Sequence, residues 1–366
     1  MKKVALLKSR LGFRGGLEKY SLRLRDAFAK AGCEVTLLTT SPIDIPSVRC
    51  IPVASTHKIS LLHHLAFDAG CKKWLHKHPQ DVIFGLERTT YQTHYRAGSG
   101  VHAIYLKRRA LIDSFWKKSL SAINPLHLTL LHLEKKAFES PPLKRLFTNS
   151  EMVKEEILST YNTSPEKISV IHNGVEWQEW EKPFRASLQK PREGPFHFLF
   201  IGNGYLRKGL GLILEAFSLI KSLDFHLSVV GKDKQIPHFQ KLIEKLSLTK
   251  KVTLYGPQKE VLPFYQKADA LVIPSLYDPF ANVTVEALAM GLFVVSSAYN
   301  GGKEVLTPET GVIIEDLLSP ESVASALKKT LDHPKTVQSA ERIRNSIQQL
   351  DFSRQLDRMV QQTLCF

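Results

Sequence analysis

The residues best suited to chemistry lie in Asp278-Pro279-Phe280-Ala281-Asn282-Val283-Thr284-Val285-Glu286-Ala287-Leu288. They follow the apolar run Ala270-Leu271-Val272-Ile273-Pro274-Ser275, which has the pattern of a buried strand. The spacing predicts a helix capped by Asn282 and ended by Gly291, with Glu286 about one turn inside it and Asp278 in the preceding loop. Free amides at a helix N-terminus at the carboxyl end of a strand favour phosphate. Carboxylates there are placed instead to accept hydrogen bonds from hydroxyls. A ligand carrying both groups, such as a sugar nucleotide, satisfies both.

Further residues could share that work. Gly202-Asn203-Gly204-Tyr205-Leu206-Arg207-Lys208-Gly209 sets two cations at a helix start. Arg offers a forked donor and Lys a point charge to a phosphate, although solvated surface cations would read the same way. Gly15-Gly16 before another helix suits close approach of a phosphate or sugar, or a plain tight turn. Thr93-His94-Tyr95-Arg96-Ala97-Gly98-Ser99-Gly100-Val101-His102 mixes small and polar residues. His102 could act as acid or base there, or be a packed structural imidazole. Next come Leu106-Lys107-Arg108-Arg109-Ala110-Leu111-Ile112 and Phe115-Trp116-Lys117-Lys118. This mixture suits an anionic membrane interface, or the basic outer face of a core helix.

The elements that must position these residues read as two α/β units. Lys3–Ser9 is a strand, Leu17–Ala31 a helix stopped by Gly32, and Cys33–Thr39 the next strand. Strand patterns follow at Arg49–Val53, Asp81–Leu86, Lys144–Ser150 and Lys167–Asn173, with helical patterns at Ser60–His78 and Glu151–Tyr161. The polar, Pro-bearing stretch Gln178–Pro195 reads as a linker. Beyond it, Phe196–Gly202, Phe225–Gly231, Lys251–Gly256, Ala270–Ser275, Phe293–Ser297 and Gly311–Glu315 are strand-like and separated by helix-length segments. Near-continuous apolar strands alternating with helices imply doubly wound parallel sheets, with a cleft as the expected binding site. Residues 1–177 form one expected domain and 178–351 the other, and the terminal helical pattern, coming after the second unit is complete, could pack elsewhere.

At 366 residues the chain suits two domains, and 43% hydrophobic content supports sizeable cores. Cys33, Cys50, Cys71 and Cys365 have neither zinc-site nor disulfide-framework spacing, which fits a reducing cytoplasm. No run approaches the ~18 apolar residues of a membrane span. The net charge of +15 suits an anionic partner or a merely basic surface. Metal-binding D-x-D and H-E-x-x-H, nucleophile G-x-S-x-G and phosphate-loop patterns are absent from the sequence.

Together, Gly15-Gly16, the Arg207-Lys208 loop, the acidic-x7-Glu motif from Asp278 to Glu286 and the helical C-terminus resemble the retaining glycosyltransferases of family four, which have the GT-B fold. Phe13-Arg14-Gly15-Gly16-Leu17-Glu18 and Tyr95-Arg96-Ala97-Gly98 are most similar to the lipopolysaccharide core glucosyltransferase I group. The resemblance implies two Rossmann-like domains facing a cleft, with 1–177 on the acceptor side, 178–351 binding a UDP-sugar donor and helix 352–366 crossing back to the first, and with no metal or other cofactor. It places Gly15 and Gly16 near the diphosphate and donor sugar, and Arg207 and Lys208 on the leaving diphosphate. Amides near Val283 and Thr284 add to that charge stabilisation, Glu286 holds the ribose, and Asp278 contacts the donor sugar. Asp278 is shorter than the family's usual Glu. Ser99 stands where related enzymes tend to carry Asp, so His102 becomes the fallback base.

The expected function is transfer of a hexose, with glucose from UDP-glucose as the leading donor, to a lipopolysaccharide core or lipid-linked glycan. Retention of the anomeric configuration is implied by the family. The expected location is cytoplasmic and peripheral, on the inner face of the cytoplasmic membrane, with no nucleic acid partner. A GT-B-like nucleotide-sugar epimerase is the rival enzyme reading, and a basic nucleic-acid-binding protein the rival of another class.

Overall fold

The computed structural model describes residues 1–10, 16–40, 49–55, 58–113, 123–189 and 194–365, and only the backbone of 16–19. The first sheet contains β1 (Lys3–Leu7), β2 (Glu34–Thr39), β3 (Arg49–Pro52), β4 (Val82–Gly85), β5 (His94–Arg96), β6 (Arg145–Thr148) and β7 (Ile168–Val170). The second contains β8 (Phe196–Ile201), β9 (Phe225–Val230), β10 (Val252–Gly256), β11 (Ala270–Ile273), β12 (Phe293–Ser297) and β13 (Gly311–Ile314). Their orders are β3-β2-β1-β4-β5-β6-β7 and β10-β9-β8-β11-β12-β13. Every strand pairing within them is parallel. These are GT-B-type doubly wound α/β units, in which each order reverses beside the unit's first strand.

Burial explains the central positions. Val4 through Leu7 of β1 and Ala270 through Ile273 of β11 are fully buried, as strands covered on both faces must be. Each such Val, Leu or Ile contributes about 1.5–3 kcal/mol by leaving water. Chain contacts divide the protein into Met1–His172 with Arg354–Phe366, and Asn173–Ser353. The helix Phe352–Leu364 therefore supplies most of its length to the first unit. There Met359 accepts a hydrogen bond from Tyr20 at 3.0 Å, and the Leu364 carbonyl accepts one from Lys2 at 2.7 Å. No described helix is long and apolar enough to cross a membrane.

Two expectations need correction. The supposed linker Gln178–Pro195 contains a helix, Glu181–Leu188, anchored by fully buried Phe184. Its Pro183 sits in the first turn, where a missing amide costs no helical hydrogen bond. The polar segment after β4 contains β5, whose His94, Tyr95 and Arg96 pair with Arg145, Leu146 and Phe147. Sheet pairing overrides the weak local pattern of these three residues.

β5 also places a titratable group in the core. His94 stacks on Phe84 with ring centroids 6.3 Å apart, and its Nδ1 lies 2.9 Å from the Thr93 hydroxyl. Burial, aided by Lys144 and Arg145, pulls its pKa down to about 4. The neutral ring thus contributes fully above the ordinary value near 6.5, and that contribution is lost as pH falls towards about 4. Linkage sets the loss at ~3 kcal/mol. Urea denaturation of wild type and His94→Gln at pH 7 and pH 4.5 should show a shallower decline in the variant. Parallel declines would exclude His94 as the cause.

Candidate active site

In the second unit β8 and β11 are neighbours at the point where strand order reverses, so their outgoing loops diverge. Such a divergence is where open α/β sheets bind ligands. The loop after β8 turns through Gly204 (φ 75°) and Gly209 (φ 78°) before the helix Leu210–Leu219. A Cβ on Gly209 would fall 2.0 Å from the Pro274 carbonyl oxygen, so glycine is required there. The loop is pinned by Gly204 N donating to Lys232 O at 3.0 Å and Tyr205 N donating to Asp233 at 2.6 Å.

This loop delivers Lys208, buried, and Arg207, partly exposed, to Asp278 in the loop after β11. Lys208 Nζ donates to Asp278 Oδ2, and Arg207 Nη1 lies 3.6 Å from the same oxygen. Arg207 also donates to the Tyr277 carbonyl at 3.3 Å. Two cations and one carboxylate from opposite sides of the reversal point therefore form one cluster. Its surplus positive charge suits a polyanion.

The Asp278 loop is latched to the loop after β12. Asp278 N donates to Tyr299 O, and Gly301 N donates to Asp278 O, both at 2.9 Å. Asn300 Oδ1 accepts from the amides of Ala281 at 3.1 Å and Gly302 at 3.0 Å. The sequence reading missed Asn300, although Asn300-Gly301-Gly302 just after a strand was a usable turn signal.

The helix runs Asn282–Ala289, and Gly291 follows it with φ 69°. Ala281, not Asn282, occupies the capping position, and no side chain of its own caps the helix. Asn282 Oδ1 instead accepts from Asn173 at 2.7 Å. A second correction concerns Thr284, whose amide donates to Ala281 O at 3.0 Å and is not available to a ligand. Val283 lies in the same first turn. Glu286 sits one turn in and accepts from the Tyr265 hydroxyl at 2.7 Å. Burial, followed by the charge of Glu286, pushes the Tyr265 phenol well above its ordinary value, so it remains a donor. Only tertiary structure reveals this pair. Nothing local in the sequence marks Tyr265 as a partner of Glu286.

In the first unit Gly15 lies outside the described residues, and Gly16 begins the helix Gly16–Lys30. Ser99 is exposed in a turn closed by Gly100 N donating to Ala97 O at 3.0 Å. His102 begins the helix His102–Arg109, with Nε2 3.1 Å from His127 Nδ1. Burial first, and then Arg88, lowers its pKa to about 4. A base that weak has little driving force for taking a proton near neutrality. Behind it, fully buried Glu134 accepts from the His102 amide, Arg88 Nε at 2.8 Å and Tyr161 Oη at 2.6 Å. Lys8 and Glu87, also missed by the sequence reading, form an ion pair between the ends of β1 and β4.

Lys107, Arg108 and Arg109 lie on the helix His102–Arg109, while Phe115, Trp116, Lys117 and Lys118 lie outside the described residues. Leu111, two residues beyond that helix, is 52% exposed, and Ile123 and Leu128 are 70% and 52% exposed.

Comparison with known proteins agrees with this architecture. Residues 14–179 match the family described as Glycosyltransferase Family 4, and residues 182–349 match Glycosyl transferases group 1. The lipopolysaccharide glucosyltransferase WaaG of Escherichia coli is 24% identical over 331 residues, covering 87% of this chain and 86% of the relative. An uncharacterized glycosyltransferase of Methanocaldococcus jannaschii is 24% identical over 340 residues, covering 87% and 85%. Among solved structures, WaaG superposes with a TM-score of 0.79 at 23% identity over 98% of this chain and 99% of that one. Anabaena HepE in complex with UDP-glucose gives 0.69 at 15% identity over all of both chains. The two family matches cover nearly the whole chain, one on each unit, and the chain belongs to the family four, group 1 glycosyltransferases, as a nucleotide-sugar-dependent hexosyltransferase of the GT-B fold.

Proposed function

We propose that the protein transfers glucose from UDP-glucose, with retention, to a hydroxyl of a lipopolysaccharide core or lipid-linked glycan. The observation that carries this reading is the Arg207–Lys208–Asp278 cluster at the second sheet's reversal point, with Glu286 fixed by Tyr265 in the adjoining helix. Arg207 and Lys208 stabilise the diphosphate as it leaves, a preorganised electrostatic role that commonly contributes several kcal/mol. Binding of the diphosphate draws Lys208 from Asp278, which frees that carboxylate to meet donor-sugar hydroxyls. Glu286 accepts from the ribose. The acceptor attacks on the face the leaving group departs from, and a diphosphate oxygen takes its proton. The names of WaaG, a lipopolysaccharide glucosyltransferase, and of the HepE–UDP-glucose complex favour this donor and acceptor class. Incubation with UDP-glucose and inner-core lipopolysaccharide should release UDP and give an α-linked product by NMR. Inverted product, or release of UDP from no nucleotide sugar, would refute it.

Ser99 orients a sugar hydroxyl without taking its proton. Ser99→Ala should lower the transfer rate by a small factor, in keeping with one neutral hydrogen bond of ~0.5–1.5 kcal/mol. Abolished turnover with normal UDP binding would contradict that role.

Lys107 and Arg108, with Arg109 held on Asp113 beside them and exposed Leu111 just beyond, dock the enzyme peripherally on the anionic inner face of the cytoplasmic membrane. Each cation near such a surface contributes ~1 kcal/mol. Co-sedimentation with phosphatidylglycerol vesicles should fall on replacing Lys107 and Arg108 with Gln, which leaves Arg109 on its 2.9 Å ion pair with buried Asp113, and should weaken in salt. Equal binding to neutral vesicles would count against docking by charge.

A further inference from the structure

The first unit repeats, at its own reversal point, the device found in the second. Strand order reverses beside β1 and β4, and Lys8 and Glu87 leave the carboxyl ends of these two strands. Leu86 N donates to Leu7 O, and Lys8 N donates to Leu38 O, each at 3.1 Å, so the backbone continues the sheet register up to the pair. The Lys8 and Glu87 side chains are 8% and 16% exposed. Lys8 Nζ donates to Glu87 Oε1, whereas Glu87 Oε2 is buried and has no hydrogen-bond partner among the described residues. Burial alone would raise the Glu87 pKa, but the charge and hydrogen bond of Lys8, helped by Ser9 and His64, outweigh it and hold the carboxyl below its ordinary range.

The next residue ties this place to the turn carrying Ser99. Arg88 Nη2 donates to the Gly100 carbonyl at 3.1 Å, and its Nε is fixed on buried Glu134. The residue after Glu87 is thus bonded directly to the turn that carries Ser99. The chemistry of the Lys8–Glu87 pair differs from that of the second unit's cluster. One cation is matched by one carboxylate, so the net charge is near zero and a phosphate gains little. A sugar hydroxyl can donate to Glu87 and accept from Lys8 at once, and the pair is already oriented for it.

We propose that Lys8 and Glu87 form a sugar-hydroxyl subsite of the first unit, which takes the acceptor's glycosyl ring. This rests on the reading of the protein as a transferase with the donor held by the second unit.

The test uses the full chain loaded with UDP, and methyl glycosides of glucose, galactose and mannose as probes. Saturation-transfer NMR should detect contact with at least one of them in the wild type. Glu87→Gln, which can still accept from Lys8, and Lys8→Met should each weaken that binding ~10-fold or more, as expected for a lost hydrogen bond to a charged group. UDP binding by calorimetry should stay at the wild-type value in both, which also shows that the variants are folded. Should Lys8→Met fail to fold, Glu87→Gln decides alone. No contact with any glycoside in the wild type, or equal contact in Glu87→Gln, would overturn the subsite. Failure of wild type to bind UDP would instead overturn the transferase reading on which the subsite rests.

Discussion

Lys208→Ala is expected to lose most UDP affinity and to reduce transfer by ~100-fold or more, the scale seen when a preorganised charge on a leaving group is removed. Lys208 is buried beside Asp278, with Arg207 3.6 Å from the same carboxylate oxygen. Truncation leaves Asp278 facing the diphosphate with only the more exposed Arg207 to oppose it. Glu286→Ala should weaken UDP binding separately, by removing the ribose acceptor and stranding the buried Tyr265 hydroxyl. Because the proposed site sets Lys208 and Glu286 at opposite ends of one UDP, Lys208→Ala should weaken UDP and free diphosphate alike. Glu286→Ala should weaken UDP alone. Calorimetry with UDP and with pyrophosphate separates the two, and unchanged UDP binding in both variants would remove the proposed donor site.

Arg344→Ala is expected to destabilise the protein by about 2–4 kcal/mol, through loss of two charge-assisted hydrogen bonds to carbonyls and of the guanidinium packed on two aromatic rings, while its carboxylate partner Glu181, 45% exposed, adds little. Arg344 is only 2% exposed, and its guanidinium lies 3.9 Å from the Trp177 ring centroid and 4.9 Å from that of Phe184. It donates to the Trp177 carbonyl at 2.8 Å and to the Ala289 carbonyl, and pairs with Glu181 at 2.9 Å. One planar fork thus joins the beginning of the second unit, its helix Glu181–Leu188 and the end of the helix carrying Glu286. Lysine cannot reproduce that geometry, so Arg344→Lys should recover only part of the loss. Urea unfolding measures both variants, and a loss below about 1 kcal/mol in Arg344→Ala would mean that the carbonyls find other partners.

The sequence by itself determined the strands and helices whose apolar periodicity is unambiguous. β1 from Val4 onward and β11 are buried on both faces, and their continuous apolar runs leave no competing local structure. The same logic, with Gly291 as a left-handed stop, marked the helix bearing Glu286. It also marked the Arg207-Lys208 loop, since glycines at positive φ and adjacent charges are local features. β5 was not legible, because its three residues form a strand only through the neighbours they pair with. Nor was the helix Glu181–Leu188, where a proline suggested a break that the first turn tolerates.

Tertiary structure alone decided the partners. A carboxylate's spacing cannot reveal that Asp278 meets Lys208 or that Glu286 receives the Tyr265 hydroxyl, since the strand order that joins them is set by packing. The same holds for Lys8 and Glu87, each an unremarkable charge in the sequence until β1 and β4 become neighbours. Asn282, read as a cap, bonds Asn173 instead, because a segment distant in the chain offers its side-chain oxygen a donor. Periodicity encodes which face of an element is buried, whereas the pairing of polar groups depends on contacts that form only when distant elements pack together.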